Sequence, residues 1–100
     1  MRISLDQLVE DINNSSVTEV TLAIMQDGEF VYKTVAYEKL RLQQGNDGSI
    51  PLGDYETQES ISITSEYLIE KEDNQQEEGK ACYYIIRDDC PVLQVCLFFD

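Results

Sequence analysis

Leu5, Leu8, Val9 and Ile12 recur at the i, i+3, i+4, i+7 spacing of one helical stripe, while Asp6, Glu10 and Asp11 fall on the opposite side. Ser4 stands where an N-cap belongs, Gln7 is placed to complete a capping box, and Ile3 is placed to staple against Leu8. These signals predict a short helix over 4–13, ended by the polar run Asn13-Asn14-Ser15-Ser16. A lone amphipathic helix of this length is not stable in water, so its stripe needs a sheet to lie on.

Downstream the apolar period changes to two. Over 17–26, Val20, Leu22 and Ile24 alternate with Glu19, Thr21 and Ala23, and the pair Asp27-Gly28 follows, which favours a type I′ hairpin turn. The return strand, 29–42, sets Phe30, Tyr32, Ala36 and Leu40 on one face and Lys33, Lys39 and Arg41 on the other. Three basic side chains are thus expected on one strand face, placed to pair with Glu59 or Glu66. Residues 43–56, with three glycines, Pro51 and the turn signal Asn46-Asp47-Gly48, read as a long connecting loop. Ile61, Ile63, Tyr67 and Ile69 share one parity and predict a single half-buried strand over 57–69.

The polar run 70–79 reads as a hairpin loop, and the strands over 80–87 and 92–99 are apolar on both faces. Such strands belong at the centre of a sheet or under a partner. A three-residue turn of Asp88, Asp89 and Cys90 would set Arg87 against Pro91 and bring Cys82 opposite Cys96. The order of elements predicts one α+β domain over 1–100, a short N-terminal helix packed on a mostly antiparallel five-stranded sheet.

Composition agrees with an ordered domain. A chain of 100 residues buries roughly two-thirds of its unfolded surface. Its 42% hydrophobic content, with six tyrosines and three phenylalanines, is too apolar for a disordered acidic tail. No run approaches the ~18 apolar residues of a membrane span, and the first residues lack the apolar core of a signal peptide. A cytoplasmic protein without a membrane partner is the expectation. The cysteines Cys82, Cys90 and Cys96 are an odd set late in the chain, expected as reduced, buried thiols.

Charge changes the picture most. Twenty carboxylates against seven basic side chains give a formal charge of -13, and the chain has no histidine. A field this strong costs stability through self-repulsion and points to a basic partner. Without histidine the Ser-His-Asp, Cys-His and His-rich metal constellations are all absent. No phosphate-cradling glycine loop or calcium loop appears either. No cofactor, no metal and no enzymatic activity are expected; Asp88-Asp89 beside Cys90 reads as a tight turn rather than a catalytic group. Direct nucleic-acid binding is disfavoured because phosphate contacts require basic side chains.

The charge is also polarised, with nine carboxylates and one lysine between Asp54 and Glu78. Asp54, Glu56, Glu66, Glu70, Glu72, Asp73, Glu77 and Glu78 are the expected partner-binding acids, with Tyr55 and Tyr67, and also Tyr83 and Tyr84, as aromatic anchors. Alternate carboxylates on a strand stand about 6.6 to 6.8 Å apart, a row that imitates a nucleic-acid backbone. In size and charge, and in nothing more specific, the chain resembles the anti-restriction and anti-CRISPR DNA mimics of phages. That resemblance implies an inhibitor of a basic nuclease, DNA-binding subunit or nucleoprotein complex. The alternatives are an immunity protein that neutralises a nuclease toxin, a homodimeric interaction module joined through the C-terminal strands, and a solvated acidic coat with no partner.

Overall fold

The structure, a computed structural model, describes residues 1–72 and 78–100. Its helix is α1 (Leu5–Asn13), and its strands are β1 (Arg2–Ile3), β2 (Val17–Gln26), β3 (Glu29–Glu38), β4 (Ile50–Asp54), β5 (Glu59–Ile63), β6 (Leu68–Lys71), β7 (Lys80–Arg87) and β8 (Cys90–Phe98). Six strands form an antiparallel sheet in the order β1-β6-β7-β8-β2-β3, and β4 and β5 form a separate two-stranded sheet. The α+β class is as expected, but the five-stranded sheet is corrected to six strands plus a hairpin.

Local chemistry explains the helix. Ser4 Oγ accepts the Gln7 N–H at 3.1 Å, as the capping signal required. The Gln7 side chain runs forward to Asp11 Oδ1 at 2.8 Å instead of back to the cap. Leu5, Leu8 and Ile12 are buried against the sheet.

The expected strand 57–69 is two strands. Tyr67 N–H donates to the Thr64 carbonyl at 3.1 Å, a turn that breaks the chain between β5 and β6 although the parity of the isoleucines runs straight through it. β4 lies inside the expected loop 43–56, and β6 takes Glu70 and Lys71 from the expected loop 70–79. β4 is tolerated despite Pro51 and Gly53 because it pairs on one side only, with β5. Gly53 has φ +151°, and a Cβ there would collide with the Glu59 carbonyl oxygen of β5.

The β2–β3 and β7–β8 turns are two residues long with positive φ, Asp27 (52°) and Gly28 (80°) in one, Asp88 (53°) and Asp89 (61°) in the other. Arg87 therefore faces Cys90 rather than Pro91. An irregularity between Ile85 and Ile86 absorbs the extra residue, so Cys82 still faces Cys96. The two are joined as a disulfide with Cα atoms 4.2 Å apart, and Cys90 is exposed, which corrects the expectation of three reduced buried thiols.

One face of the sheet is covered. Val20, Leu22, Tyr83, Ile85, Leu93, Val95 and Leu97 pack beneath α1 and beneath Ile50, Leu52 and Ile63 of the β4–β5 hairpin. β7 and β8 are central, as their apolar character on both faces predicts. β8 lies between β7 and β2, so the dimer seam expected on the C-terminal strands has no free strand edge there; an outer edge belongs to β3. No helix among the described residues is long and apolar enough to cross a membrane.

Candidate partner-binding surface

Two of the eight acids expected to meet a partner, Asp54 and Glu70, are taken up by contacts within the fold. Asp54, at the end of β4, is buried; its Oδ1 accepts the N–H groups of Glu56 at 3.0 Å and Thr57 at 3.4 Å. Its Oδ2 pairs with Lys33 Nζ at 2.6 Å, and Glu59 Oε1 meets the same ammonium at 3.0 Å. The Lys33 hydrogen bond holds the Asp54 carboxyl below the ordinary carboxylate range. Glu59 is lowered first by the Thr57 hydroxyl and then by Lys33, and the two carboxylates raise Lys33 in turn. Lys33 thus fastens the β4–β5 hairpin to the sheet.

Tyr55 belongs to the same fastening. Its ring lies 5.0 Å from that of Tyr37, its hydroxyl donates to the Pro51 carbonyl at 2.6 Å, and its N–H donates to Tyr37 Oη at 3.1 Å. Burial pushes its phenol up to about 12. Tyr37 donates in turn to the Gly53 carbonyl at 2.8 Å. Of the expected site residues here, Asp54, Tyr55 and Glu56, only Glu56 is exposed.

The remaining described residues of the expected set lie along β6 and its flanks. Arg87 stacks over the Tyr67 ring at 5.2 Å, donates to Tyr67 Oη at 3.1 Å and lies 3.9 Å from exposed Glu66. Glu70 accepts from the Met1 amine at 2.9 Å and Arg2 Nε at 3.3 Å, contacts that lower its carboxyl. Glu72 and Glu78 are exposed, and Asp73 and Glu77 lie outside the described residues. The eight described residues of the ten thus divide between the β4–β5 hairpin and the β6 side of the sheet. Of the two further tyrosines, Tyr83 is buried with its hydroxyl donating to Asp11 Oδ2 at 2.7 Å, and Tyr84 lies on the uncovered face.

The basic residues disperse as well. β3 ends at Glu38, Lys39 has φ +52°, and Arg41 donates to the Ser15 carbonyl at 3.0 Å, so the three do not share a strand face. Only Lys33 stays in the strand, and it makes the expected pair with Glu59.

The exposed apolar surface is on the face that no element covers. The register aligns Cys82, Cys96, Glu19 and Ala36 in one row and Tyr84, Gln94, Thr21 and Thr34 in the next; Ala23 pairs with Tyr32, and Met25 with Phe30. β2 and β3 run past the end of their pairing with β8, so this last part of the hairpin projects beyond the sheet. There Met25, Phe30 and Tyr32 are 64%, 68% and 79% exposed. A groove lined by Thr21, Ala23, Tyr32, Tyr84, Pro91 and Val92 lies beside them. The turn tips at this end carry Asp27, Glu29, Asp88 and Asp89, all exposed.

β3 has two faces, Phe30, Tyr32, Thr34 and Ala36 against Val31, Lys33, Val35 and Tyr37, and each carries one tyrosine and two further apolar residues. The fold covers the second set. No family model matches the chain, and neither a curated protein nor a solved structure matches it.

Proposed function

We propose that this protein is an acidic inhibitor that occupies the nucleic-acid-binding surface of a basic protein, in the manner of phage-encoded anti-restriction and anti-CRISPR DNA mimics. The observation that carries the reading is the formal charge of -13 on a folded domain. Exposed carboxylates such as Asp6, Glu10, Glu29, Glu38, Glu56, Asp88 and Asp89 keep that charge at the surface, where it steers a basic partner. A nuclease, a DNA-binding subunit or a nucleoprotein complex has the lysine- and arginine-rich groove that such a field fits. Inhibition of this kind needs no cofactor and no catalytic group, only stoichiometric occupation.

The test is capture of host-lysate proteins at low salt on immobilised protein, elution on a rising salt gradient, and competition of each captured protein against duplex DNA. The expected result is one basic nucleic-acid-binding protein whose DNA binding is lost at one equivalent of added inhibitor. A captured protein that still binds DNA with the inhibitor in excess, or a lysate from which nothing is retained, overturns the reading. Neutralisation confined to one nuclease toxin would assign the protein to the immunity class instead.

A further inference from the structure

The open face of the sheet pairs two features at one end. Its apolar groove is bounded by the projecting β2–β3 hairpin on one side and by β7 and β8 on the other. The carboxylates Asp27, Glu29, Asp88 and Asp89 sit on the turns and strand starts that close the same end. The nearest basic residue in the β7–β8 hairpin, Arg87, is held over Tyr67. Apolar side chains this exposed mark a contact surface rather than an incomplete core, because the buried core on the opposite face is already continuous. A purely cationic ligand would leave the groove wet, and a purely apolar one would leave the exposed carboxylates at its rim without a cation from the ligand.

We infer that this groove docks a protein segment in which one aromatic or large aliphatic side chain is flanked by lysine or arginine, the apolar group seated between Ala23, Tyr32, Tyr84 and Val92 and the cations facing Asp27, Glu29, Asp88 and Asp89. The inference rests on the proposed inhibitor reading for the identity of the partner, and it relocates the central contact from the 54–78 acids to the open face. It follows the usual anatomy of an interface, an apolar anchor within a charged rim. The rim sets the approach and the salt dependence; the anchor sets the lifetime of the complex.

The probe is a blocked hexapeptide, Lys-Arg-Leu-Phe-Lys-Arg, titrated into ¹⁵N-labelled protein, with hexalysine and Gly-Gly-Leu-Phe-Gly-Gly as controls. The expected result is amide shifts concentrated at Ala23, Tyr32, Tyr84 and Val92 for the first peptide, at least tenfold weaker binding by either control, and a tenfold loss with Tyr32→Ser or Ala23→Glu. Both substitutions are at exposed positions, and unchanged melting confirms their fold. Equal binding by hexalysine, shifts centred elsewhere, or concentration-dependent self-association through these same residues overturns the inference, the last assigning the face to a second copy. The two readings fail separately. A captured DNA-binding protein that is inhibited equally by the Tyr32→Ser variant keeps the inhibitor and removes the groove. A groove that binds the peptide while no captured protein loses DNA keeps the groove and removes the inhibitor.

Discussion

The two faces of one sheet differ in what has been done with their apolar residues. On the covered face Val20, Tyr83, Ile85, Val95 and Leu97 are fully buried beneath α1 and the β4–β5 hairpin. On the open face Met25, Phe30 and Tyr32 remain in solvent, although Met25 shares β2 with Val20. Stability and the proposed recognition are therefore separable in this molecule, one assigned to each side of a single layer of backbone. A residue's strand tells little about its role; its parity within the strand tells most of it.

Substitutions break or sharpen that contrast. The largest effect is expected from Leu97→Ala, which opens a cavity in the core and should cost about 2 to 5 kcal/mol in denaturant unfolding. Gly53→Ala should follow, at about 2 kcal/mol or more, since the added methyl group meets the Glu59 carbonyl at a φ that only glycine adopts readily. Tyr83→Phe removes the hydroxyl that links the sheet to Asp11 on the helix, an expected loss of about 1 to 3 kcal/mol with burial otherwise unchanged.

Lys33→Met tests the fastening by pH. Asp54 and Glu59 are held below their ordinary values, so their contribution is present above about pH 4 and is lost as pH falls through the lowered values. Lys33 is raised, so its contribution is complete below about pH 10 and fades only as pH climbs through the raised value. The variant should begin acid unfolding at higher pH than the parent, followed by circular dichroism, and lose the parent's alkaline transition from this group. The smallest effect belongs to Tyr32→Ser, whose side chain is 79% exposed: stability within about 0.5 kcal/mol of the parent. A large loss there would show that the open face is structural and would erase the contrast.

The legible parts of the fold were those governed by short-range chemistry. Ser4 and Gln7 marked the helix start, Asp27-Gly28 marked a hairpin, and the double-sided apolar strands marked the sheet centre. The facing of Cys82 and Cys96 came out as expected through a different turn, because a two-residue loop plus one irregularity matches a three-residue loop in register. Parity hid the break at Thr64 to Tyr67, since Ile63 and Ile69 stay on the same side of the count across a turn. Asp54 and Glu70 looked available because sequence shows charge without its partner; Lys33, distant in the chain, takes Asp54 as well as the expected Glu59, and the Met1 amine and Arg2 take Glu70. The choice of covered face on β3 was beyond local pattern, being settled by where α1 and the β4–β5 hairpin lie.

The outer edge of β3 has a colloidal consequence. Ten residues of edge strand present a template to which another chain can add. Like charge on every copy keeps that template from meeting its own kind. Ionic strength that would release the proposed basic partner also thins this barrier, and acidification removes it outright by neutralising the carboxylates. The molecule is therefore expected to lose the proposed partner and its dispersal under the same conditions, with filamentous or amorphous association beginning along Glu29–Glu38.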